Sequence, residues 1–219
     1  MCIQKRLDDL FERWKETHKA LPQREDLPIL EIFLPDGIAG IDTTIYENTN
    51  PRVLYILKES NVKNGYINDY FWFRDSQVEK YGNHRIANRI WLMQEVVTKG
   101  ILHDKVLPSK SNDLRAVAYM NLNKCGGDSM VNYTKLKNYI DIPEIREYIL
   151  DEIRILAPDI IICCGSDIMN IVKELASCIG LYEHIVFTKH PSCWGSDIKF
   201  IEEFYTEWSK SECKKKLYS

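Results

Sequence analysis

Two hydrophobic periods alternate along this chain, and their order predicts its architecture. Between Ile3 and His18, the apolar residues Leu7, Leu10, Phe11 and Trp14 recur at spacings of three and four, which predicts an amphipathic helix. Pro22 and Pro28 interrupt it, and Ile29 to Thr49 shows no sustained period around Pro35-Asp36-Gly37, so this stretch is expected to wrap across the body of the protein. Beyond Asn50-Pro51 come short, nearly continuous apolar runs at Arg52–Leu57, Ala116–Met120, Ile160–Cys164 and Ile185–Phe187, the pattern of strands covered on both faces. Helical periods separate or follow them: Ile86-Ile90-Met93-Val97, Ile145-Tyr148-Ile149-Ile153-Leu156 after Pro143, Ile168-Ile171-Val172-Leu175, and Ile198-Ile201-Phe204-Trp208.

Strands alternating with helices predict an α/β fold, a three-layer α/β/α arrangement with a four-stranded parallel sheet. The 219 residues fit a single domain, with residues 1–50 as the N-terminal helix and wrapping segment and 51–210 as the α/β core. Lys and Arg total 29 against 32 Asp and Glu, a net charge of −3, which excludes a partner held by bulk positive charge but leaves room for a local basic groove. The cysteines number seven, an odd count without a C-x-x-C pair, so no disulfide framework is expected. Together with an N-terminus that is amphipathic rather than a signal core, and no apolar run near the length of a membrane span, this predicts a cytoplasmic protein with no membrane association. Lys214-Lys215-Lys216 reads as a solvated tail.

In open parallel sheets, ligands bind outside the carboxyl ends of the strands, so the residues after each apolar run are the ones to weigh. They are Lys58-Glu59-Ser60-Asn61, Asn121-Leu122-Asn123-Lys124-Cys125, Gly165-Ser166-Asp167 and Lys189-His190-Pro191-Ser192-Cys193-Trp194. Cys125 and Cys193 fall in loops expected to face each other, with His184 and His190 nearby by sequence, but the spacing does not predict a metal site. Cys163 and Cys164 read as small buried hydrophobes.

Asn121-Leu122-Asn123-Lys124-Cys125, then Ala157-Pro158-Asp159 leading into Ile160–Cys164 and Gly165, then His190-Pro191-Ser192, resemble in order and context the motifs of the uracil-DNA glycosylase superfamily. Lys58-Glu59-Ser60-Asn61 stands at that family's first motif, with Lys58 where glycine is usual and Asn61 where proline is usual. The resemblance spans Arg52 to Trp208 and implies hydrolysis of the N-glycosidic bond of uracil or a related damaged base in DNA. Lys124-Cys125 is similar to the iron–sulfur branch, but the cysteine spacing elsewhere does not supply a cluster, so no cofactor is expected.

The resemblance implies a role for each of these residues, and each role has a chemical rationale. Asn121 offers an amide to a pyrimidine edge. His190 donates to the departing base as its negative charge develops. Glu59 orients water and faces the cationic sugar, unless strand alternation turns it away and leaves Ser60 or Asn61 in the pocket, with Asn61 positioning water. Of the aromatic cluster Tyr66, Tyr70, Phe71, Trp72 and Phe73, Phe71 is expected to stack on an extruded base, with Trp72 next. Ser192 binds a flanking phosphate, and Lys58, Lys63, Lys124 and Lys189 form a basic rim for DNA. The alternative expectation is a non-catalytic protein of the same fold that binds a nucleobase, nucleotide or protein partner. A serine hydrolase is not expected, because the chain lacks G-x-S-x-G.

Overall fold

A computed structural model of the protein describes residues 2–40, 42–61, 84–100, 112–127 and 132–217. Its strands are β1 (Gly37–Ile38), β2 (Val53–Asn61), β3 (Val117–Gly127), β4 (Ile160–Cys164) and β5 (Ile185–Thr188). The helices among these residues are α1 (Ile3–Ala20), α2 (Thr43–Glu47), α3 (His84–Lys99), α4 (Tyr133–Ile140), α5 (Pro143–Leu156), α6 (Met169–Cys178), α7 (Asp197–Lys210) and α8 (Glu212–Leu217).

The predicted apolar runs form the parallel part of the sheet, but the sheet is five-stranded and mixed rather than four-stranded and parallel. The additional strand comes from the wrapping segment: β1 pairs antiparallel with the outer side of β3, Gly37 opposite Tyr119 and Ile38 opposite Ala118. Flanking bonds extend that seam, from Ala39 N–H to Val117 C=O at 2.9 Å and from Leu34 N–H to Lys124 C=O at 2.7 Å. The wrap thereby satisfies backbone groups that an uncovered β3 edge would leave unpaired.

Strand alternation divides the core. Leu54, Ile56, Ala118, Met120 and Leu122 pack with Leu10 and Trp14 of α1, Ile149 and Ile153 of α5, and Val172 and Leu175 of α6. Val53, Tyr55, Leu57, Val117 and Tyr119 face the opposite way, onto Ile90, Met93 and Val97 of α3 and Phe204 and Trp208 of α7. Helices therefore cover both faces of the sheet, which explains why the strands read as continuous apolar runs rather than alternating ones. β2 and β3 continue past those runs into polar residues because their ladder persists to Glu59 opposite Asn123, after which the register shifts.

The strand order β1-β3-β2-β4-β5 places a reversal at β2. The chain leaves β2 for β3 on one side and later returns to β4 on the other, so the loops after adjacent strands β2 and β4 diverge. A crevice at such a reversal is where open α/β sheets bind ligands. No helix among the described residues is long and apolar enough to cross a membrane.

Candidate active site at the carboxyl ends of the strands

An ion pair links the carboxyl ends of β2 and β4. Lys58, in the polar last part of β2, places Nζ 2.6 Å from Asp167 Oδ2 in the short turn after β4. The stem of Lys58 passes over Gly165, where a Cβ would come within 3.2 Å of Lys58 Cε; Gly165 also has φ of 135°, a conformation that favours glycine. Asp167 is held ionised, its pKa lowered to about 2, first by the hydrogen bond from Lys58 and then by Tyr133. Tyr133, the first residue of α4, lies under the ammonium, with its ring centroid 5.5 Å from Lys58 Nζ. Its hydroxyl is buried within electrostatic reach of both charges but forms no well-directed hydrogen bond with either.

His190 follows β5 and joins this group. Burial pushes its pKa down to about 4, the Lys58 charge pushes in the same direction, and Asp167 opposes them. The imidazole is therefore neutral at pH 7. The Ser192 main-chain N–H donates to Nδ1 at 3.2 Å, and the Ser192 hydroxyl lies 2.7 Å from the same nitrogen. With Nδ1 accepting, the ring proton resides on Nε2, leaving a neutral N–H donor. His190-Pro191-Ser192-Cys193 is a tight turn closed by Cys193 N–H to His190 C=O at 2.9 Å, with Pro191 at the position where its fixed φ suits the turn. The motif thus reflects a local geometry that holds a ring nitrogen.

The other expected site residues are placed as follows. Glu59 points across to β3, where Asn123 Nδ2 donates to its Oε2 at 2.8 Å. Asn123 Oδ1 in turn accepts from Cys125 N–H at 2.9 Å, so Asn123 organises the exit of β3. Asn121 is buried, and Asp36 of the wrapping segment accepts from both its main-chain N–H at 2.6 Å and its Nδ2 at 3.3 Å. That bond fixes which end of the Asn121 amide is the donor toward Asp36.

Lys124 departs from expectation. Rather than lining a basic rim, its side chain is 0 % exposed. Nζ binds Asp36 Oδ1 and the carboxylate of Glu152 on α5, at 2.8 Å to Oε2, beside the rings of Phe11 and Trp14. Desolvation works against the Lys124 charge, but Asp36 and Glu152 together outweigh it and hold its pKa above the ordinary value. Glu152 is pushed well above the usual carboxylate range, first by burial and also by Asp36, with the Lys124 charge opposing them. Nothing in the local sequence distinguishes this lysine from a loop lysine; three separate segments create its site.

Lys189 is exposed but paired with Glu203 at 2.7 Å. Phe71, together with Lys63, Tyr66, Tyr70, Trp72 and Phe73, lies outside the described residues, as do the side chains of Ser60 and Asn61, whose backbone belongs to β2. Cys125 and Cys193 do not approach each other: Cys125 packs on the α1–α5 face and Cys193 on the α3–α7 face. Among the described residues no cluster of His, Cys, Asp and Glu suits a metal ion. Trp194 stands beside the His190 turn, 95 % exposed.

Sequence reasoning singled out His190 and Ser192 but not Asp167 or Tyr133. Asp167 was in view as a residue just past a strand end; the deciding fact, its contact with Lys58 across the strand reversal, depends on sheet order. Comparison of the chain with family models, with curated proteins and with solved structures returns no match.

Proposed function

We propose that this chain is a uracil-DNA glycosylase-like hydrolase that cleaves the N-glycosidic bond of uracil or a related damaged base in DNA. The observation that carries the reading is a neutral His190, its Nδ1 held by Ser192 and its Nε2–H free to donate, beside the ionised Asp167 at the strand reversal. In the proposed reaction the C1′–N bond breaks and its electron pair leaves with the base. His190 Nε2–H donates to the carbonyl oxygen on which that negative charge gathers. Asp167, or Glu59 once released from Asn123, faces the oxocarbenium-like sugar and takes the proton of the water that adds at C1′. Asn121, buried in the β3 ladder, is the residue that the resemblance assigns to the base edge. Trp194 supplies an exposed ring on which an unstacked base can stack.

A second reading has its own support. Lys58 and Lys189 are neutralised by carboxylates and Lys124 is buried, so these lysines present no open basic rim to a duplex. That favours a site for a free nucleobase or nucleotide without catalysis.

The deciding experiment offers uracil-containing oligonucleotides, single-stranded and duplex, and assays abasic product by alkaline cleavage alongside His190→Ala. Product that depends on His190 supports the glycosylase. No product from fresh protein on either substrate, with uracil or a uridine nucleotide nevertheless bound in calorimetry, replaces it with the binding reading.

A further inference from the structure

Arg89 lies on α3, on the opposite face of the sheet from Lys58 and Tyr133, and its side chain is 0 % exposed. A buried arginine needs its fork of donors filled, and here the acceptors come almost entirely from one loop. Nε donates to Asp197 Oδ1 at 2.7 Å, at the start of α7. Nη1 donates to Pro191 C=O at 3.1 Å and to Cys193 C=O at 2.7 Å, with Cys193 Sγ at 3.4 Å. Nη2 donates to Gly195 C=O at 2.8 Å. Phe200 underlies the guanidinium, its ring centroid 4.6 Å from Cζ. Asn88 adds a bond from Nδ2 to Asp197 Oδ2 at 3.0 Å.

The carbonyls that Arg89 gathers belong to Pro191, Cys193 and Gly195. They bracket Ser192, whose amide and hydroxyl hold His190, and Trp194, whose ring is exposed. Pro191 is buried and Cys193 half-buried, so their carbonyls need this donor, and with Gly195 they tie the loop backbone to one planar cation.

We propose that Arg89 is the positioning residue of the His190–Ser192 turn: its guanidinium fixes the loop backbone so that the Ser192 amide meets His190 Nδ1 and the Nε2–H of His190 is aimed into the crevice. Arg89 touches no reacting group and acts through the turn. The catalytic consequence rests on the proposed function; the positioning itself does not.

The test uses Arg89→Lys, which keeps the charge but cannot reach Asp197 and the loop carbonyls together, with histidine side chains labelled for NMR. In the unaltered protein, His190 is expected to show the Nε2–H tautomer and a titration midpoint near 4. In Arg89→Lys that midpoint moves toward the ordinary 6.5 and the tautomer preference is lost, while His18, on the other face, keeps its own midpoint near 4. Asp197→Asn, which loosens the anchor without removing the guanidinium, shifts His190 in the same direction by less, and decides the matter should Arg89→Lys not fold. An unchanged His190 in a folded variant overturns the proposal. If the unaltered protein excises uracil, Arg89→Lys lowers kcat by about 10²-fold with little change in KM, as small misplacements do. A shifted His190 in a protein with no excision activity retains Arg89 as a positioning residue and rejects only the glycosylase reading.

Discussion

The main-chain amide of Ser192 donates to His190 Nδ1, and the Ser192 hydroxyl approaches the same nitrogen. One residue thus selects the tautomer of its neighbour with two groups, only one of which can be removed by substitution. His190→Ala is expected to reduce kcat for base excision by about 10²–10³-fold, the usual loss of one transition-state donor. Ser192→Ala retains the amide and should lose far less. Single-turnover kinetics on a uracil-containing single strand checks both, and equal losses would contradict the assignment.

Lys58 and Asp167 act on His190 in opposite senses, the cation lowering its pKa and the carboxylate raising it. Lys58→Ala is therefore expected to move the His190 midpoint up, and Asp167→Asn to move it further down. Histidine NMR reads both shifts. Movement in the same direction would mean that the pair does not share a site with the imidazole. Asp167→Asn should also lower kcat more than it alters KM, because a sugar cation exists only in the transition state.

Lys124 is buried in ion-pair contact with both Asp36 and Glu152. Lys124→Met strands the Asp36 charge and should cost about 3–5 kcal/mol in urea unfolding. Because burial raises the Glu152 pKa, the ionised side chain is disfavoured in the fold, so Glu152→Gln should cost far less than Lys124→Met at pH 7. A large loss in Glu152→Gln would show that the ionised carboxylate is the form present.

His18 is buried in α1, its Nε2 2.7 Å from the Tyr139 hydroxyl, and burial lowers its pKa to about 4. The unfolded chain binds a proton at this residue below about 6.5 and the folded chain only below about 4, so acid favours unfolding. Its contribution is intact above pH 6.5 and is lost progressively as the pH falls toward 4. His190 follows the same sign, whereas Glu152, with its raised pKa, follows the opposite one. The difference in Tm between the unaltered protein and His18→Gln should therefore narrow as the pH falls from 6.5 to 4; a constant difference would refute a neutral buried His18.

Trp194 is expected to contribute about 1–3 kcal/mol to single-stranded DNA binding through stacking. Fluorescence anisotropy on Trp194→Ala measures it, and unchanged affinity would remove the ring from the binding surface.

What the sequence determined by itself was whatever is encoded in short-range period. Ile160–Cys164 and Ile185–Phe187 read as strands, and Pro143 marks the start of α5, because burial on both faces and helix geometry each leave a local pattern. His190-Pro191-Ser192 stood out as a motif beyond a strand, and the turn it forms rests on proline and on hydrogen bonds between near neighbours.

Tertiary structure alone decided the rest. The pairing of Gly37–Ile38 with β3 depends on an open strand edge rather than on any preference of two residues, and the five-residue helix α2 carries too few turns to display a period. Lys124 reads like Lys189, yet one is buried against Asp36 and Glu152 and the other is exposed beside Glu203. Lys58 meets Asp167, and Arg89 meets the Pro191–Gly195 loop, only because the sheet order brings distant segments together. A charge takes its character from what surrounds it, and in this protein those surroundings come from residues that sequence spacing does not connect.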